Sequence, residues 1–381
     1  MTSPLIQLQE LGQSPWHDNI RRGQLASGEL VRMVADGDIT GLTSNPSIFE
    51  KAFAESEDYD EALSTLALAG NSAPEIFDQL AIEDIQAAAD IFAPVYERTE
   101  RADGYVSIEV SPEYAHDTQT TCSEAERLWD AVARPNLMVK IPATQAGLPA
   151  IAQSIASGIN VNVTLIFSRE RYSKVMDAYL DGMEQRAARG SDLTSLASVA
   201  SFFVSRVDNL VDQLLDKSIA QQPAAAAQLS SLKGRAAIAN ARLAYEMFQE
   251  VVAGERWQKL AGQGAQLQRP LWASTSTKNP DYSDVLYIEN LIGPDTVNTM
   301  PPNTLQAFKD HGLAKLTVTE NVNQSRQLMD QLAEINIDMQ AVTQQLEEEG
   351  VASFFRSFEN LLKVIENKRS HFPGVNGANQ A

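Results

Sequence analysis

Eight short apolar segments alternate with amphipathic helical segments along this 381-residue chain as far as Met300. Such alternation is typical of βα units, in which helices join parallel strands and cover the sheet. The candidate strands are Ser14–Asp18, Ile39–Ser44, Tyr105–Val110, Leu137–Ile141, Asn160–Ile166, Leu196–Val204, Leu271–Ser276 and Thr296–Met300. Open parallel sheets more often have about five to seven strands. Eight strands therefore predict a closed (β/α)8 barrel, the TIM barrel.

The chain changes character after the last candidate strand. From Thr319 onward the pattern is helical, and we predict three helices without strands. One face of the last helix carries six apolar residues: Phe354, Phe355, Phe358, Leu361, Leu362 and Ile365. Such a face must be buried, so we expect this helix to pack on the barrel. The predicted organisation is an α/β chain with a barrel domain over residues 1–318 and a C-terminal helical extension over residues 319–381.

Charge restricts the partners that the chain can bind. Thirty basic residues stand against fifty acidic ones, a net charge of −20. This charge disfavours nucleic acid and anionic membranes, and no apolar run reaches the roughly 18 residues that a membrane span needs. An anionic ligand would therefore need a local basic site. The sequence is compatible with a monomer or a homodimer.

Cysteine and histidine usage narrows the chemistry and the compartment. Cys122 is the only cysteine, which excludes an intramolecular disulfide. Because the N-terminus also lacks the pattern of a secretory signal, we expect a cytoplasmic location. None of the four histidines belongs to a pair with metal-binding spacing, so we predict no metal site.

Lys140 is the most unusual polar residue within the candidate strands. Its neighbours are all apolar: Leu137, Met138, Val139 and Ile141. Such a lysine can snorkel at the strand end, form an ion pair, or lie in the barrel as a desolvated amine. Burial disfavours the charged form of an amine, and the neutral amine is the form that attacks a carbonyl to give a Schiff base.

Other polar residues lie inside or directly after the candidate strands. Glu109 and Asn45 occupy such positions, and Asn162 and Thr164 alternate with valines. A period of two sends Asn162 and Thr164 to one side of their strand. In a barrel covered by helices that side is the interior, because neither strand face contacts solvent. Asp18 is compatible with a helix N-cap or with an acid at a strand end.

Five segments, in this order, resemble those of the transaldolases. They are TSNPS (43–47), SIEVS (107–111), VKIPAT (139–144), NVNVTLIFS (160–168) and SFFVSRVD (201–208). The resemblance extends over residues 16 to about 303. The segment WASTSTKNP (272–280) is similar to the longer bacterial type, which is also found fused to glucose-6-phosphate isomerase.

The resemblance implies a class I aldolase barrel of the pentose phosphate pathway that needs neither metal nor cofactor. It would convert sedoheptulose 7-phosphate and glyceraldehyde 3-phosphate into erythrose 4-phosphate and fructose 6-phosphate by transferring a dihydroxyacetone unit. By motif, Lys140 would form the Schiff base and Asp18 would accept the proton of the C4 hydroxyl. Glu109 and Thr164 would position a catalytic water.

The same resemblance assigns the substrate contacts. Asn45 and Asn162 match amides that hold substrate hydroxyls. Ser201 and Phe203 match residues that line the pocket, and Arg206 matches a phosphate ligand. From the residues alone, a guanidinium at this position suits bidentate phosphate binding, whereas the alternative for Arg206 is a surface ion pair with the nearby Asp208.

One departure concerns the phosphate site. Many transaldolases carry a second phosphate-binding arginine near the seventh strand, whereas this chain has Ser274, Ser276 and Lys278 there. We therefore include these three residues among the candidate substrate ligands.

Two other functions are compatible with the same residues. The first is a fructose-6-phosphate aldolase-like lyase, which would release free dihydroxyacetone by hydrolysing the imine. The second is a non-catalytic barrel that binds phosphosugars, which would have no reason to bury an unpaired Lys140. Phe203 and the C-terminal helices indicate a pocket that excludes water, which favours transfer over hydrolysis.

Overall fold

Eight parallel strands form a closed barrel in chain order, in the computed structural model that describes residues 3–371. Each strand pairs with the next, and the eighth pairs with the first. The strands are β1 (Gln13–Asp18), β2 (Gly41–Thr43), β3 (Val106–Glu109), β4 (Leu137–Pro142), β5 (Val161–Ile166), β6 (Ser198–Phe203), β7 (Gln268–Ala273) and β8 (Thr296–Met300). The predicted (β/α)8 barrel is confirmed, and every candidate strand overlaps an observed one.

Helices connect the strands and surround the barrel. They are α1 (Pro4–Glu10), α2 (Arg22–Ala26), α3 (Glu29–Ala35), α4 (Pro46–Ala54), α5 (Asp60–Leu68), α6 (Ala73–Arg98), α7 (Thr118–Val132), α8 (Gly147–Ser157), α9 (Arg169–Ala188), α10 (Ser205–Gln221), α11 (Ala226–Ser230), α12 (Ala236–Ala253), α13 (Glu255–Ala261), α14 (Leu286–Asn290), α15 (Pro302–His311), α16 (Val322–Glu334) and α17 (Met339–Ser370). Short 3-10 turns lie at Pro112–Tyr114 and Pro223–Ala225. None of the helices within residues 3–371 combines the length and the apolarity that crossing a bilayer requires.

The strand β5 shows how the sequence separates the helix layer from the barrel interior. All of its residues are buried, as expected for a parallel strand covered on both sides. Val161 and Val163 alternate with Asn162, whose amide bonds to side chains of β3 and β6 inside the barrel. The period of two therefore holds from Val161 to Val163 and sends Asn162 inward, whereas a register shift between Val163 and Ile166, with a φ of 60° at Leu165, interrupts it.

The seventh strand lies three residues earlier than predicted. It spans Gln268–Ala273 instead of Leu271–Ser276. The next residue, Ser274, has a φ of 56°, a left-handed conformation that turns the backbone out of the strand. Its carbonyl instead accepts a hydrogen bond from the N–H of Ser205 at 3.0 Å. Ser276 and Lys278 consequently lie in the loop after the strand, on the face where barrel enzymes bind substrates.

The C-terminal part of the described chain contains two helices, α16 and α17, and the prediction of three is wrong. The second is a continuous helix of 32 residues, since no proline interrupts it and its only glycine, Gly350, is tolerated. A side chain at Gly350 would approach Leu165 to 3.0 Å, so a glycine lets the helix come close to β5. The boundary at residue 318 stays a prediction, and residues 372–381 lie outside the described part.

The helix α17 crosses the end of the barrel at which the strands terminate. Its apolar stripe is narrower than predicted: Phe354, Leu361 and Ile365 are buried, whereas Phe355 is 36% exposed. Polar contacts also fix the helix at two places. Arg171 of α9 pairs with Glu347 at 3.0 Å, and Ser47 of α4 bonds to Ser357 at 2.8 Å. These contacts hold the middle of α17 over the barrel interior.

Candidate active site

Lys140 and Glu109 form a buried ion pair inside the barrel. They are neighbours in the register of β3 and β4, and Nζ lies 3.3 Å from Oε2 of the carboxylate. The side chains are only 5% and 6% exposed. Nζ also donates a hydrogen bond to the carbonyl oxygen of Ser44 at 3.2 Å. Of the three alternatives for Lys140, snorkelling is therefore excluded, and the amine is both buried and paired.

Glu109 is a carboxyl group whose ionisation is finely balanced. Burial raises its pKa to about 7, although the charge of Lys140 acts in the opposite direction. The nearby charge of Asp18 raises this pKa further. Within the described residues, Oε2 of Glu109 has no partner with hydrogen-bond geometry. Glu109 can therefore exchange a proton near neutral pH and still accept a hydrogen bond.

Asp18 is the last residue of β1 and is not a helix N-cap, because α2 begins four residues later at Arg22. Burial raises the pKa of Asp18, and the charge of Lys140 is the main opposing influence. The hydroxyl of Thr43 donates a hydrogen bond to Oδ1 at 2.7 Å and lies 2.7 Å from the hydroxyl of Thr299. These contacts fix the orientation of the carboxylate inside the barrel.

Asn162 and Ser201 belong to one hydrogen-bond chain across the barrel. The amide of Asn162 donates to Oγ of Ser107 at 3.0 Å, and Oγ of Ser201 donates to its Oδ1 at 2.7 Å. Thr164, two residues after Asn162, has a buried hydroxyl without a hydrogen-bond partner among residues 3–371. The interior therefore presents both fixed polar groups and a hydroxyl that is available to a ligand.

Asn45 has a structural function at the rim of the barrel. Its Oδ1 accepts a hydrogen bond from the N–H of Ile48 at 3.0 Å and so caps α4. It also lines a cavity of about 1210 Å³ at the barrel mouth, together with Asp18, Ser276 and Lys278. The structure thus brings these four residues to the walls of one cavity.

Arg206 stands at the start of α10, with its guanidinium carbon 5.3 Å from the centre of the Phe203 ring. Burial lowers its pKa, and Asp18 and Glu349 are the acidic groups that oppose this. Asp208 is not its partner, because Asp208 accepts hydrogen bonds from the N–H of Ala237 and the hydroxyl of Tyr287. Arg206 is therefore a largely buried cation without a carboxylate within 4.0 Å among the described residues.

The three candidates after β7 differ in their surroundings. The hydroxyl of Ser274 lies 3.0 Å from that of Ser205, and this contact occupies it. Lys278 is exposed, and its Nζ donates a hydrogen bond to Oγ of Ser276 at 3.0 Å. The charge of Lys278 also reaches Asp18. Ser276 and Lys278 are therefore open to a ligand in the cavity, whereas Ser274 shapes the loop.

Comparison with known proteins assigns this arrangement to a family. A family model described as Transaldolase/Fructose-6-phosphate aldolase matches residues 15–365. The chain belongs to the transaldolase/fructose-6-phosphate aldolase family. A protein named Transaldolase from Thermobifida fusca is 49% identical over 373 residues, which cover 97% of this chain and 100% of that protein. A protein named Transaldolase from Trichodesmium erythraeum is 46% identical over 372 residues, which cover 97% and 98%.

In this member of the transaldolase/fructose-6-phosphate aldolase family, the C-terminal helix contributes to the site directly. The ring of Phe354 lies over Lys140, with Nζ 5.8 Å from its centre. Phe354 is 4% exposed, so its ring is enclosed between the helix and the barrel. A cation above an aromatic face is stabilised by the ring quadrupole, and the ring also displaces solvent.

Two tyrosines that the sequence analysis did not single out attach the loop after β7 to α10. The hydroxyl of Tyr282 donates to Asp212 at 2.6 Å, and that of Tyr287 donates to Asp208 at 3.0 Å. The two acids are four residues apart and therefore lie on one face of the helix. Since the same helix begins beside Arg206, these bonds fix the loop that carries Lys278 relative to Arg206. The spacing of the two acids was the only signal in the sequence.

We predict that the free energy of unfolding depends on pH through Glu109. Its pKa of about 7 in the folded protein lies above the ordinary value of 4.5, so the folded state binds this proton more tightly than the unfolded chain. The stability that this group contributes is complete below about pH 4.5 and is lost as the pH rises through about 7. A shift of this size corresponds to roughly 3 kcal/mol.

Urea denaturation of the wild type and of Glu109→Gln between about pH 5 and about pH 8 measures this effect. The free energy of unfolding of the wild type should fall relative to that of the variant as the pH rises, because glutamine does not titrate. Burial also raises the pKa of Asp18, but Asp18 is present in both proteins. The difference between their free energies of unfolding therefore reports the loss of Glu109. A difference that stays constant over this range would contradict the prediction.

Proposed function

We propose that this chain is a transaldolase, which transfers a dihydroxyacetone unit from a ketose phosphate to an aldose phosphate through an imine on Lys140. The observation that carries this proposal is the buried amine of Lys140 in contact with Glu109, inside a barrel that also encloses the Asp18 carboxylate. A barrel that only binds phosphosugars would not need this arrangement. The relatives named Transaldolase match almost the whole chain and support the same assignment.

The first step is formation of the imine. The neutral amine of Lys140 attacks the C2 carbonyl of the ketose phosphate, and the hydroxyl of the resulting carbinolamine leaves as water with a proton from Glu109, which gives the protonated imine. Glu109 lies 3.3 Å from Nζ and can accept the proton that the ammonium group must lose. Glu109 and Thr164, which both have a buried oxygen without a hydrogen-bond partner in the described residues, would hold the water that leaves and later returns.

The second step is cleavage of the C3–C4 bond. Asp18 accepts the proton of the C4 hydroxyl, the bond breaks, and its electron pair moves into the protonated imine. The aldose phosphate leaves, and an enamine of dihydroxyacetone stays on Lys140. Thr43 and Thr299 keep the carboxylate of Asp18 in position for this transfer. Asn45, Asn162 and Ser201 would hold the hydroxyls of the sugar.

In this proposal, the phosphate group of the substrate binds beside the basic side chains of the site. Arg206 at the start of α10 would bind it bidentately, and Ser276 and Lys278, which line the cavity at the barrel mouth, would add further contacts. In a chain with a net charge of −20, these local cations are necessary to attract an anionic sugar. The same charge argues against nucleic acid as a partner. A cytoplasmic location, and a monomer or homodimer, stay predictions.

Phe354 favours transfer over release of free dihydroxyacetone. The enamine must survive until an aldose acceptor arrives, and water that reaches the carbon of the imine ends the reaction by hydrolysis. Phe354 covers Lys140 from the C-terminal helix, and Phe203 packs on Phe167 with ring centres 5.0 Å apart. We therefore prefer the transferase to the lyase for this chain.

Borohydride trapping tests the imine. Reduction in the presence of fructose 6-phosphate should add a three-carbon unit to Lys140, which peptide mass mapping locates. Lys140→Arg should abolish both labelling and turnover, because a guanidinium does not form an imine with a ketone under these conditions. Lys174→Arg, which changes an exposed lysine of α9 outside the site, serves as the matched control and should be labelled at Lys140 normally. Labelling at a different lysine would disprove the assignment.

Substitution of Arg206 tests phosphate binding. Arg206→Ala should raise KM for fructose 6-phosphate by roughly 10- to 100-fold, because a charge-assisted bidentate contact of about 1.5 to 3 kcal/mol is lost. KM for unphosphorylated fructose should change little in the same variant. Lys278→Ala should show the same selectivity with a smaller effect, since this side chain is exposed. Equal losses on both sugars would assign Arg206 a structural function instead.

Substitution of Phe354 tests the control of hydrolysis. With fructose 6-phosphate alone, Phe354→Ala should release several-fold more free dihydroxyacetone per imine formed than the wild type, because solvent reaches Lys140. Phe354→Leu retains most of the volume and should behave like the wild type. Phe355→Ala alters the adjacent residue, which is 36% exposed, and is the matched control.

The same three variants are assayed with erythrose 4-phosphate, and sedoheptulose 7-phosphate is measured. An unchanged ratio of release to transfer in folded Phe354→Ala would remove this residue from the mechanism. Rapid release of dihydroxyacetone by the wild type without an acceptor would favour the lyase.

A further inference from the structure

A second pocket lies outside the barrel, away from the residues of the active site. It has a volume of about 280 Å³ and lies between α12, α14 and α16. Its polar lining consists of Arg235, Arg242, Asn290, Asn321, Gln324 and Ser325. Two arginines and three amides line the pocket without any acidic residue. This composition is unusual for a chain with a net charge of −20 and suits an anion.

Arg242 is the deepest cation of this pocket. It is only 7% exposed, and no carboxylate of the described residues lies within 4.0 Å of it. Its Nη2 donates to the backbone and side-chain oxygens of Asn290, each at 3.2 Å. Its Nε is buried and has no hydrogen-bond partner within residues 3–371. One edge of the guanidinium is therefore anchored, and its Nε lacks an acceptor.

The charge of Arg242 is poorly compensated by the protein. Burial lowers its pKa, and Glu320 is the acidic group that opposes this. Glu320 is itself held by Lys315 at 2.7 Å. The other arginine, Arg235, donates to the carbonyl oxygen of Ser231 and forms no ion pair in the described part of the chain. A buried, unpaired guanidinium is unfavourable unless a ligand supplies the counter-charge.

The N-terminus of α16 adds a second source of positive potential. The helix has 13 residues and begins after Asn321, whose side chain makes no capping hydrogen bond. Its first turn contains no acidic residue. Unsatisfied N–H groups at the start of a helix attract anions. Asn321, Gln324 and Ser325 belong to this turn or flank it, so the helix starts at the wall of the pocket.

The hydrogen bonds from Arg242 to Asn290 of α14 do not by themselves explain why a charged side chain is buried here. A neutral side chain could donate to the oxygens of Asn290 without burying a charge. Arg269 shows what a purely structural arginine of this chain looks like, because its guanidinium donates to Ser14, Ala102 and Thr296. The guanidinium of Arg242, in contrast, has only the two oxygens of Asn290 as acceptors among the described residues.

We propose that this pocket binds a small oxyanion, a phosphate or a phosphate monoester, between Arg242, Arg235 and the N-terminus of α16. A guanidinium and helix N–H groups together match the several acceptor oxygens of a phosphate. The volume accommodates a small group, and the negative field of the whole chain repels larger polyanions. The site lies between α14, which follows the Lys278 loop, and α16, which precedes α17.

Inorganic phosphate is the first probe, and Arg206→Ala is the background, since this variant weakens phosphate binding in the active site. Isothermal titration of the full-length variant should show saturable binding of one phosphate. The melting temperature should rise with phosphate concentration, because a ligand that binds only the folded state stabilises it. Absence of saturable binding in this background would overturn the proposal.

Two further variants locate the phosphate. Adding Arg242→Gln to Arg206→Ala should weaken binding at least tenfold. Adding Gln324→Glu should do the same, because it places a carboxylate at the pocket with almost no change in size. Gln327→Glu on the same helix, outside the pocket lining, is the matched control and should bind normally. Unchanged affinity in Gln324→Glu would overturn the proposal even if Arg242→Gln did not fold.

Glycerol 3-phosphate and acetate distinguish the sources of the anion. If a phosphate monoester is the ligand, glycerol 3-phosphate should compete at least as well as inorganic phosphate. If free phosphate is the ligand, it should bind at least tenfold more tightly than the ester. Acetate should compete weakly in both cases, because it offers fewer acceptor oxygens. Stronger competition by acetate than by either phosphate would reject the phosphate class. These binding measurements do not depend on the proposed transaldolase activity.

Discussion

The buried contact between Lys140 and Glu109 is the interaction on which the site depends. Two charged groups inside a barrel have lost their hydration, and the attraction within an ion pair offsets this desolvation free energy only when its geometry is good. Here the pair is completed by the carbonyl of Ser44, and Asp18 lies close enough to affect the ionisation of Glu109. Burial raises the pKa of both carboxyl groups, so Glu109 holds its proton up to about neutral pH. A carboxylate in contact with Nζ can accept the proton that the amine must lose before it attacks a carbonyl.

The C-terminal helix makes this electrostatic arrangement effective. Charges interact more strongly where water is excluded. The ring of Phe354 lies over Lys140 and displaces solvent from it. Because Gly350 has no side chain, α17 approaches β5 closely, and the pair of Arg171 with Glu347 fixes the helix beside it. The packing of α17 on the barrel therefore determines the surroundings of Lys140, although about two hundred residues separate the two in the sequence.

The sequence was most informative where a local pattern carries the structure. Alternation of strand and helix segments predicted the barrel, and the period of two predicted the inward direction of Asn162, whereas the apolar neighbours of Lys140 left burial as one of three alternatives. Contacts between distant strands leave no such pattern. Thr299 meets Thr43 across the closure of the barrel, and neither residue is distinguishable from an ordinary strand threonine. The strand β7 ends before Ser274, which has a left-handed backbone conformation. Serine seldom adopts this conformation, and the neighbouring residues do not predict it.

In this acidic chain, the presence or absence of a carboxylate partner distinguishes structural arginines from arginines that can bind an anion. Surface arginines such as Arg127 and Arg256 are surrounded by carboxylates and can attract nothing further. Arg206 and Arg242 are both largely buried and lack such partners among the described residues, and Arg242 lines the pocket between α12, α14 and α16. Burial without neutralisation destabilises the free protein, and a bound anion removes that cost. The same physical argument therefore links the proposed substrate phosphate site with the proposed anion pocket between α12, α14 and α16.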